Sequence, residues 1–273
     1  SDLRRQRQMC IRDSLYTELR FLRNRLFQRG LLGIMTTVQL PDGSEKTYTS
    51  PCTVHQVAES ISSRLANAAI AGKIDDTVVG LDTTLPEDTI CRVQILTNKD
   101  PEALDVMRHS CAHVMARAIM RLFPGVQLAF GPATEEGFYY DFDLQHALSD
   151  DDFLAIEAEM KRLVELDETF ERIEKDRESA IEVCRDLKQT LKVEHIEDEF
   201  AEHDQVSFYQ NGEFLALCHG PHVKSAAAIG VFKLLSVADA YWKGDPSCQQ
   251  LQRVYATAFF TTKELDEHLA RTE

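Results

Sequence analysis

The chain has 273 residues, of which 44% are hydrophobic and 27% are charged, and this is enough apolar material for the cores of two ordinary domains. Its net charge of −15 argues against non-specific nucleic-acid binding by the whole surface, because such a surface repels phosphates. No stretch has the length and apolar character of a membrane span, and no signal-peptide pattern is visible, so we expect no membrane partner. The seven cysteines form no C-x-x-C pair, so we expect free thiols in a cytoplasmic protein.

Residues 1–32 are interpreted as an N-terminal extension. Residues 1–29 hold eight Arg or Lys and three Asp or Glu, a net charge of +5, so the rest of the chain carries −20. Residues 1–14 lack an initiator Met and resemble translated adapter sequence more than a natural leader, which leads to the hypothesis that this piece is artefactual. The leucine spacing in residues 15–29 predicts an amphipathic helix that ends at Gly30.

Residues 33–97 are predicted to form a small β-grasp domain. Two strand-like stretches on either side of Pro41-Asp42-Gly43-Ser44 indicate a hairpin, and Thr53 can cap a helix that runs to Ala66. The domain has no paired carboxylates, metal-ligand spacing or phosphate-binding loop, so we expect a binding or docking role. Its strands are expected at residues 35–40, 46–49, 68–74, 78–80 and 91–96.

Residues 98–262 are predicted to form a second domain, because Asn98-Lys99-Asp100-Pro101 interrupts the chain before a long helix that runs to Phe123. The patterns that follow predict an α+β domain with a mainly antiparallel sheet. Residues 263–273 are interpreted as the start of a linking helix. The expected strands are residues 126–130, 137–142, 169–173, 231–237 and 251–260, with a hairpin over 206–217, and the expected helices are residues 149–166 and 176–189.

Four of the nine histidines lie in two short motifs about a hundred positions apart. His109 and His113 are four residues apart on a predicted helix, so both rings project from one face. Cys218 and His222 flank a Gly-Pro turn, which fixes their directions without helical structure. Taken singly, such a histidine pair is more often structural, and a cysteine beside a turn is more often a small buried hydrophobe. Their co-occurrence with matching H-x-x-x-H and C-x-x-x-H spacing favours one functional site.

Three imidazoles and one thiol permit three chemistries. The first is zinc bound by His109, His113, Cys218 and His222, and with three of these ligands plus a water it would be a hydrolase site. The second is a metal-free pocket in which histidines position and deprotonate a water. The third is a Cys-His nucleophilic couple, which is disfavoured because nothing marks an orienting Asn or Asp. The residues alone leave these alternatives open.

Longer motifs extend this pattern along the chain, namely His109–His113, Gly131–Asp141, Cys218–Val223, Ala240–Asp245 and Leu251–Phe259. In this order and spacing they resemble the N-terminal half of the bacterial threonyl-tRNA synthetases. The resemblance covers residues 33–271. The predicted β-grasp region, with Leu40-Pro41-Asp42-Gly43-Ser44 as its first turn, is similar to the TGS domain of that family.

The resemblance implies that the second domain is an editing domain, which hydrolyses the ester between mischarged serine and the 3′ end of its partner, threonine tRNA. A synthetic site that binds threonine by its hydroxyl also accepts serine, because a difference of one methyl group supplies only about 1–3 kcal/mol of discrimination. The resemblance implies catalytic roles for His109, His113, Lys192, Cys218 and His222, and substrate binding by Tyr140, Ala216, Gly220 and Pro221.

No metal is expected at this site, because the ammonium of Lys192 would repel a dication. Zinc on the two His and Cys motifs, as in the related alanyl-type editing domains, is the alternative. ATP and a structural zinc are expected only in a catalytic core outside this chain, and the full-length enzyme would form a homodimer through that core.

Two departures from the family pattern bear on activity. Ala216 stands where family members carry an Asp two residues before the motif cysteine, and His219 replaces the Arg that follows the cysteine. The missing carboxylate leaves the amino group of the substrate without a partner and predicts weak or lost editing. Two alternatives therefore stay open: a non-catalytic tRNA- or protein-binding module, and a free-standing trans-editing factor.

Overall fold

The computed structural model describes residues 34–200 and 205–272. The interpretation of residues 1–32 as an extension, with its helix over residues 15–29 and its artefactual start, lies outside the described residues. The elements below are numbered in chain order within the described ranges.

The first unit is a five-stranded sheet with two helices inserted after its first hairpin. Its elements are β1 (Met35–Gln39), β2 (Glu45–Thr49), α1 (Val54–Ile61), α2 (Ser63–Ala68), β3 (Ala69–Ile74), β4 (Thr77–Val79) and β5 (Ile90–Thr97). The strand order is β2-β1-β5-β3-β4, in which β1 and β5 run parallel and the other neighbours run antiparallel. This is the β-grasp arrangement that the sequence predicts, so that prediction is confirmed.

The prediction of one continuous helix from Thr53 to Ala66 is wrong. Thr53 caps α1 through a capping box with Gln56, as expected, but Ser62 is extended, with φ −168° and ψ 150°. Its side chain accepts a hydrogen bond from the backbone N–H of Leu65, so Ser62 ends one helix and caps the next. Serine occurs both inside helices and as a cap, and in this structure Ser62 is a cap.

The second unit contains two antiparallel sheets and the longest helix among the described residues. Its elements are α3 (Pro101–Leu122), β6 (Gln127–Leu128), β7 (Phe138–Asp143), α4 (Phe153–Glu165), β8 (Glu171–Asp176), α5 (Arg177–Asp186), α6 (Thr190–Glu199), β9 (Gln205–Asn211), β10 (Phe214–Leu217), β11 (Val231–Tyr241), β12 (Gln250–Phe259) and α7 (Thr262–Thr272). The sheet orders are β11-β12-β7-β6 and β10-β9-β8. The predicted α+β class with a mainly antiparallel sheet is confirmed. None of the helices in residues 34–200 and 205–272 has the length and apolar character needed to cross a membrane.

The stretch after β8 differs from the predicted single helix over residues 176–189. α5 ends at Asp186, and a further helix, α6, begins at Thr190. The Gln189 side chain accepts from the N–H of Leu128 at 2.8 Å, and the N–H of Thr190 donates to the Gln127 side chain at 2.9 Å. Because these partners lie more than sixty positions earlier in the chain, no local pattern predicts where α6 begins.

The two units share one hydrophobic core around α3. The buried cluster that contains Met107 and Met115 of α3 also includes Ala71 and Leu96 of the first unit. The short connection between β5 and α3 spans the predicted boundary at residues 98–101. The six cysteines among the described residues are all free thiols. The first unit is therefore packed directly against the helix that carries the first histidine motif.

Candidate functional site

The first motif lies in the middle of α3, which is buried along most of its length. Proline at the first helical position, Pro101, is compatible with the helix start because its missing N–H would have no partner there. The rings of His109 and His113 lie 5.2 Å apart between centroids in an edge-on arrangement. Both rings therefore project from one face of the helix, as their spacing predicts.

The second motif is a tight loop directly after β10. The Cys218 N–H donates to the Ser207 carbonyl at 3.1 Å, which anchors the loop to β9. Gly220 has φ +71°, and a Cβ at this position would lie 2.6 Å from Cζ of Tyr209, with the hydroxyl oxygen closer still. Both the backbone conformation and the space therefore require glycine at position 220. The Gly220–Pro221 peptide bond that follows is cis.

Cys218 lies at the centre of the assembled motifs. Its Sγ is 3.3 Å from Nε2 of His109 and 3.4 Å from Nε2 of His222, and it accepts the Gly220 N–H at 3.2 Å. A thiol has one proton to donate, so only one of the two imidazole nitrogens can accept it at a time. The two rings are therefore coupled through this one sulfur.

The orientation of His109 is fixed from the opposite side of its ring. Its Nδ1 lies 3.3 Å from the carbonyl oxygen of Pro221. Because a carbonyl oxygen only accepts, Nδ1 carries the proton, and Nε2 is left as the acceptor that faces Cys218.

Ser110, inside the first motif, holds the second motif in place. Its Oγ lies 3.0 Å from Nδ1 of His222, accepts the Val223 N–H at 3.0 Å, and donates to the Val106 carbonyl at 2.9 Å. The hydroxyl thus connects α3 to the His222 ring and to the backbone of the next residue, Val223. In the sequence, only its place between His109 and His113 could have indicated a role for Ser110. A serine beside histidines is not a distinctive pattern, so this role was not predicted.

His113 differs from the other two imidazoles of the cluster in its hydrogen bonding. Its ring centroid lies 4.2 Å from that of His222 and 5.7 Å from that of Phe214. Its Nδ1 is buried and has no hydrogen-bond partner among the described residues. A buried polar atom without a hydrogen bond costs folding free energy, and in this respect His113 differs from His109 and His222, whose Nδ1 atoms both have partners.

Burial keeps the site uncharged at neutral pH. It lowers the pKa of His109 to about 4, although the hydrogen bond to Pro221 acts in the opposite direction. Burial, and then the neighbouring imidazoles, hold the pKa values of His113 and His222 well below the ordinary value. Burial raises the pKa of Cys218 to about 11. The site therefore presents neutral imidazoles and a neutral thiol.

Lys192, in the first turn of α6, is buried with 3% of its surface exposed. Its ammonium donates to the Ala129 carbonyl and lies 3.6 Å from the ring centroid of Phe130. Burial lowers the pKa of Lys192 to about 7. A substantial fraction of this amine is therefore neutral at physiological pH, which weakens the expectation that its charge repels a dication.

A cavity of about 410 Å³ opens beside the two motifs. Of the residues that the resemblance implicates, His109, His113, Cys218, Tyr140 and Gly220 line it. Lys192, Ala216, Pro221 and His222 are not among its lining residues. His222 borders a separate cleft of about 580 Å³ between the two units. The assignment of these nine residues to catalysis and substrate binding stays a prediction.

The sequence reasoning missed several cavity residues, among them three with ring side chains. Phe130, His195 and Phe200 all line the cavity, and the His195 ring lies 4.5 Å from that of Phe130 and 5.7 Å from that of Phe200. His195 follows Lys192 by three positions, so it lies on the same part of α6. Since α6 itself was not predicted, this helical spacing was not recognised as a signal.

The position of Ala216 agrees with the expected strand alternation. Phe214 and Ala216 belong to the core cluster against which Cys218 packs, whereas Leu215 and Leu217 belong with a different cluster. Ala216 and Cys218 therefore face the same side. Ala216 is 2% exposed, so a carboxylate in its place would need a charged or hydrogen-bonding partner.

The four donors could also hold a metal ion. The donor atoms of His109, His113, Cys218 and His222 all lie within 4.8 Å of one another. A tetrahedral zinc with bonds of about 2.0–2.3 Å separates its ligand atoms by about 3.3–3.6 Å. The two distances from Cys218 already match this spacing, and the other donor pairs, all within 4.8 Å, would have to close by about 1.5 Å at most. The donor set thus fits zinc after a small contraction, and the metal alternative stays open.

Two family models match the chain. A TGS domain matches residues 36–97, and the Threonyl and Alanyl tRNA synthetase second additional domain matches residues 206–255. The first match coincides with the β-grasp unit. The second contains the Cys218 motif and most of the strands that support it.

Curated relatives align with most of the chain. It is 51% identical over 240 residues to the threonine–tRNA ligase of Rhodopirellula baltica, 46% identical over 236 residues to that of Citrifermentans bemidjiense, and 45% identical over 236 residues to that of Geobacillus kaustophilus. Each alignment covers 86% of this chain but only 32% to 36% of the relative. The chain spans about a third of the length of the curated relatives it matches.

Proposed function

Because this chain belongs to the threonine–tRNA ligase family over 86% of its length, we propose that its second unit hydrolyses the ester bond of a misacylated tRNA. The bond joins serine to the 3′ end of threonine tRNA, and the products are free serine and uncharged tRNA. The observation that carries the proposal is the convergence of His109, His113 and Cys218 on one cavity wall.

The proposed reaction answers a physical need of the ligases. Serine has the same hydroxyl as threonine and is one methyl group smaller, and a binding site gains only about 1–3 kcal/mol from such a difference. A second pocket that accepts the seryl ester and excludes the threonyl ester removes the resulting error. Tyr140 and Gly220 form part of the cavity wall that would make this distinction.

The site residues suit the attack of water on an ester. The water oxygen bonds to the carbonyl carbon, the bond from that carbon to the 3′ oxygen breaks, and one proton of the water ends on the 3′ oxygen. His113 lines the cavity, and its neutral imidazole would accept a hydrogen bond from this water. Because the pKa of Cys218 is raised, its sulfur stays protonated and is a poor nucleophile.

Lys192 is assigned the stabilisation of negative charge. The tetrahedral intermediate of ester hydrolysis carries that charge on the former carbonyl oxygen. The charge of Lys192 lowers the pKa of the Cys218 thiol, in opposition to burial, so it favours an anion at the centre of the site. The protonated form of Lys192 would act in the same way on the intermediate.

If zinc were bound, three of the donors His109, His113, Cys218 and His222 would hold it, and the metal would supply an activated water in its open position in place of the histidine-bound one. The expectation of a metal-free site rests on the charge of Lys192. The zinc alternative rests on the donor geometry.

A second candidate function is that of a non-catalytic module that binds tRNA. One observation favours it: Ala216 is an alanine on the same side as Cys218, so this chain has no carboxylate there to receive the amino group of a seryl substrate. The other alternative, a free-standing trans-editing factor, would carry out the same hydrolysis in a protein that has no ligase core.

For the longer protein we propose threonine–tRNA ligase activity. The ATP site, the structural zinc and the homodimer contacts of such an enzyme would lie in the part of the relatives that the alignment leaves uncovered. A cytoplasmic location and tRNA as partner belong to the same proposal.

Deacylation of preformed seryl- and threonyl-tRNA by the chain tests the proposal. We expect the seryl ester to be hydrolysed well above the buffer rate and the threonyl ester to be largely spared. His146→Ala is the matched histidine control, because His146 is half-exposed and pairs with Asp152 outside the cavity. Equal hydrolysis of both esters, or of neither, would contradict the proposal, and tRNA binding without hydrolysis would favour the second candidate.

A further inference from the structure

The helix that carries Lys192 depends on contacts with the rest of the fold. α6 is 10 residues long, and its N-cap residue, Gln189, makes no side-chain capping bond to the helix. Isolated helices shorter than about 12–15 residues are marginal in water. The position of Lys192 is therefore set by whatever holds α6 in place.

The loop that follows β11 contacts α6 through two acidic residues. Trp242 Nε1 donates to Oε1 of Glu194 at 3.0 Å, and Lys243 Nζ donates to the same oxygen at 2.7 Å. Lys243 Nζ also pairs with the carboxylate of Asp198, one turn further along α6. The loop thus connects to two successive turns of the helix.

The backbone of this loop is strained at the residue that makes both ion pairs. Lys243 has φ +55° and ψ 16°, a left-handed conformation that lysine rarely adopts. Gly244, which tolerates this region, follows with φ +72°. Strain of this kind persists only where the surrounding contacts over-determine it.

Trp242 extends the contact toward the cavity. It is 5% exposed and packs in one buried cluster with Ala129 and with Leu191 of α6. Its ring stacks on Phe130, with centroids 6.0 Å apart and planes 15° apart. The ammonium of Lys192 lies 3.6 Å from the centroid of the same Phe130 ring. Trp242 therefore supports the two groups between which Lys192 is held.

We infer that Trp242 and Lys243 are positioning residues that hold α6, through Glu194, in the place that keeps Lys192 against Phe130, a residue of the cavity wall. The inference rests on the proposed hydrolysis for its activity readout. The side chains of Glu194 and Lys243 are 49% and 35% exposed, and exposed ion pairs contribute little to global stability. Loss of the Lys243 ion pairs should therefore leave the fold intact.

Three substitutions at exposed lysines form the first test. Lys243→Ala removes both ion pairs to α6, Lys243→Arg keeps the charge, and Lys263→Ala removes a more exposed lysine pair, with Glu267 on α7. We expect Lys243→Ala to lower kcat for seryl-tRNA hydrolysis by about 10-fold at unchanged KM, because displacement of a catalytic group by about 1 Å can cost up to about 100-fold. Lys243→Arg and Lys263→Ala should stay within about 2-fold of the unsubstituted chain. Trp242→Phe keeps the aromatic ring, loses the bond to Glu194, and should shift kcat in the same direction as Lys243→Ala.

The decisive comparison repeats Lys243→Ala in a chain that already carries Lys192→Ala. If the loop acts through Lys192, the second substitution should change kcat by less than about 2-fold in that background, because the two effects are coupled. Equal losses in both backgrounds, or no loss in either, would overturn the inference.

Hydrogen exchange provides a readout that needs no deacylase activity. In Lys243→Ala, amide exchange should become faster in residues 190–199 and stay unchanged in residues 101–122, which form α3. Unchanged protection of α6 would overturn the inference. Faster exchange in α6 together with an inactive unsubstituted chain would support the positioning contact and contradict the proposed hydrolysis alone.

Discussion

Replacing Gly220 by alanine tests whether the loop around Cys218 must have the geometry seen here. Gly220 has φ +71°, a conformation that costs an L-residue about 1–2 kcal/mol. The added Cβ would lie 2.6 Å from Cζ of Tyr209, whereas non-bonded carbon atoms prefer about 3.5–4.0 Å. The loop and the Tyr209 ring must therefore separate by about 1 Å.

This displacement would reach the site at two points. The Gly220 N–H donates to Cys218 Sγ at 3.2 Å, and the Tyr209 ring lies 4.5 Å from the His222 ring between centroids. A misplacement of about 1 Å can lower a catalysed rate by about 100-fold, so we expect a loss of that order in seryl-tRNA hydrolysis. Backbone strain plus overpacking should lower the free energy of unfolding by about 2–5 kcal/mol.

Gly125→Ala is the matched control for backbone strain. Gly125 has φ +86°, but a Cβ there meets no atom within 4 Å. It should lose about 1–2 kcal/mol of stability and keep its hydrolysis rate. The assays are urea unfolding of both variants and single-turnover hydrolysis of seryl-tRNA by the folded protein.

Equal behaviour of the two variants would refute this reasoning. If Gly220→Ala loses no more stability than Gly125→Ala and hydrolyses seryl-tRNA at the unsubstituted rate, then the contact with Tyr209 does not fix the loop. A folded Gly220→Ala variant with a much lower rate would instead support the role of loop geometry.

Removing the imidazole of His113 or His222 should lower hydrolysis by about 10²–10⁴-fold with little change in folding; an unfolded His113→Ala variant whose soluble fraction keeps full specific activity would make that histidine structural. The purified chain should contain no stoichiometric zinc and should keep its rate in chelator, and one tightly held zinc per chain by elemental analysis would contradict this. Burial lowers the pKa of Lys192 to about 7, so the unfolded chain retains this proton to a higher pH than the folded chain, and stability rises with pH between the two pKa values. Between about pH 7.5 and 9.5 the free energy of unfolding should therefore gain about 1.4 kcal/mol per pH unit relative to Lys192→Met, and parallel curves would contradict the shifted pKa. Ala216→Asp should raise kcat/KM for seryl-tRNA about 10- to 100-fold, because a charged hydrogen bond contributes about 1.5–3 kcal/mol, whereas an unchanged rate in a folded variant would end the carboxylate argument.

The sequence by itself determined the features that depend on near neighbours in the chain. The i, i+4 spacing of His109 and His113 was enough to place both rings on one helix face, and Gly220 between two motif residues was enough to predict a turn. The first hairpin, and with it the β-grasp unit, followed from strand patterns on either side of Pro41-Asp42-Gly43-Ser44. Each of these signals spans only a few residues, so it can be recognised without the fold.

Only the tertiary structure decided how these pieces meet. Ser110 bonds to His222 across 112 positions, and Gln189 sets the start of α6 through residues 61 and 63 positions earlier. The place of Lys192 against Phe130 and its lowered pKa also arise from burial rather than from adjacent residues. Periodicity in a sequence reports which face of an element is apolar, but not which distant element covers that face. Burial by distant elements also sets the protonation states of the site. Removal from water is the first cause of the shifted pKa values of His109, His113, Cys218 and His222.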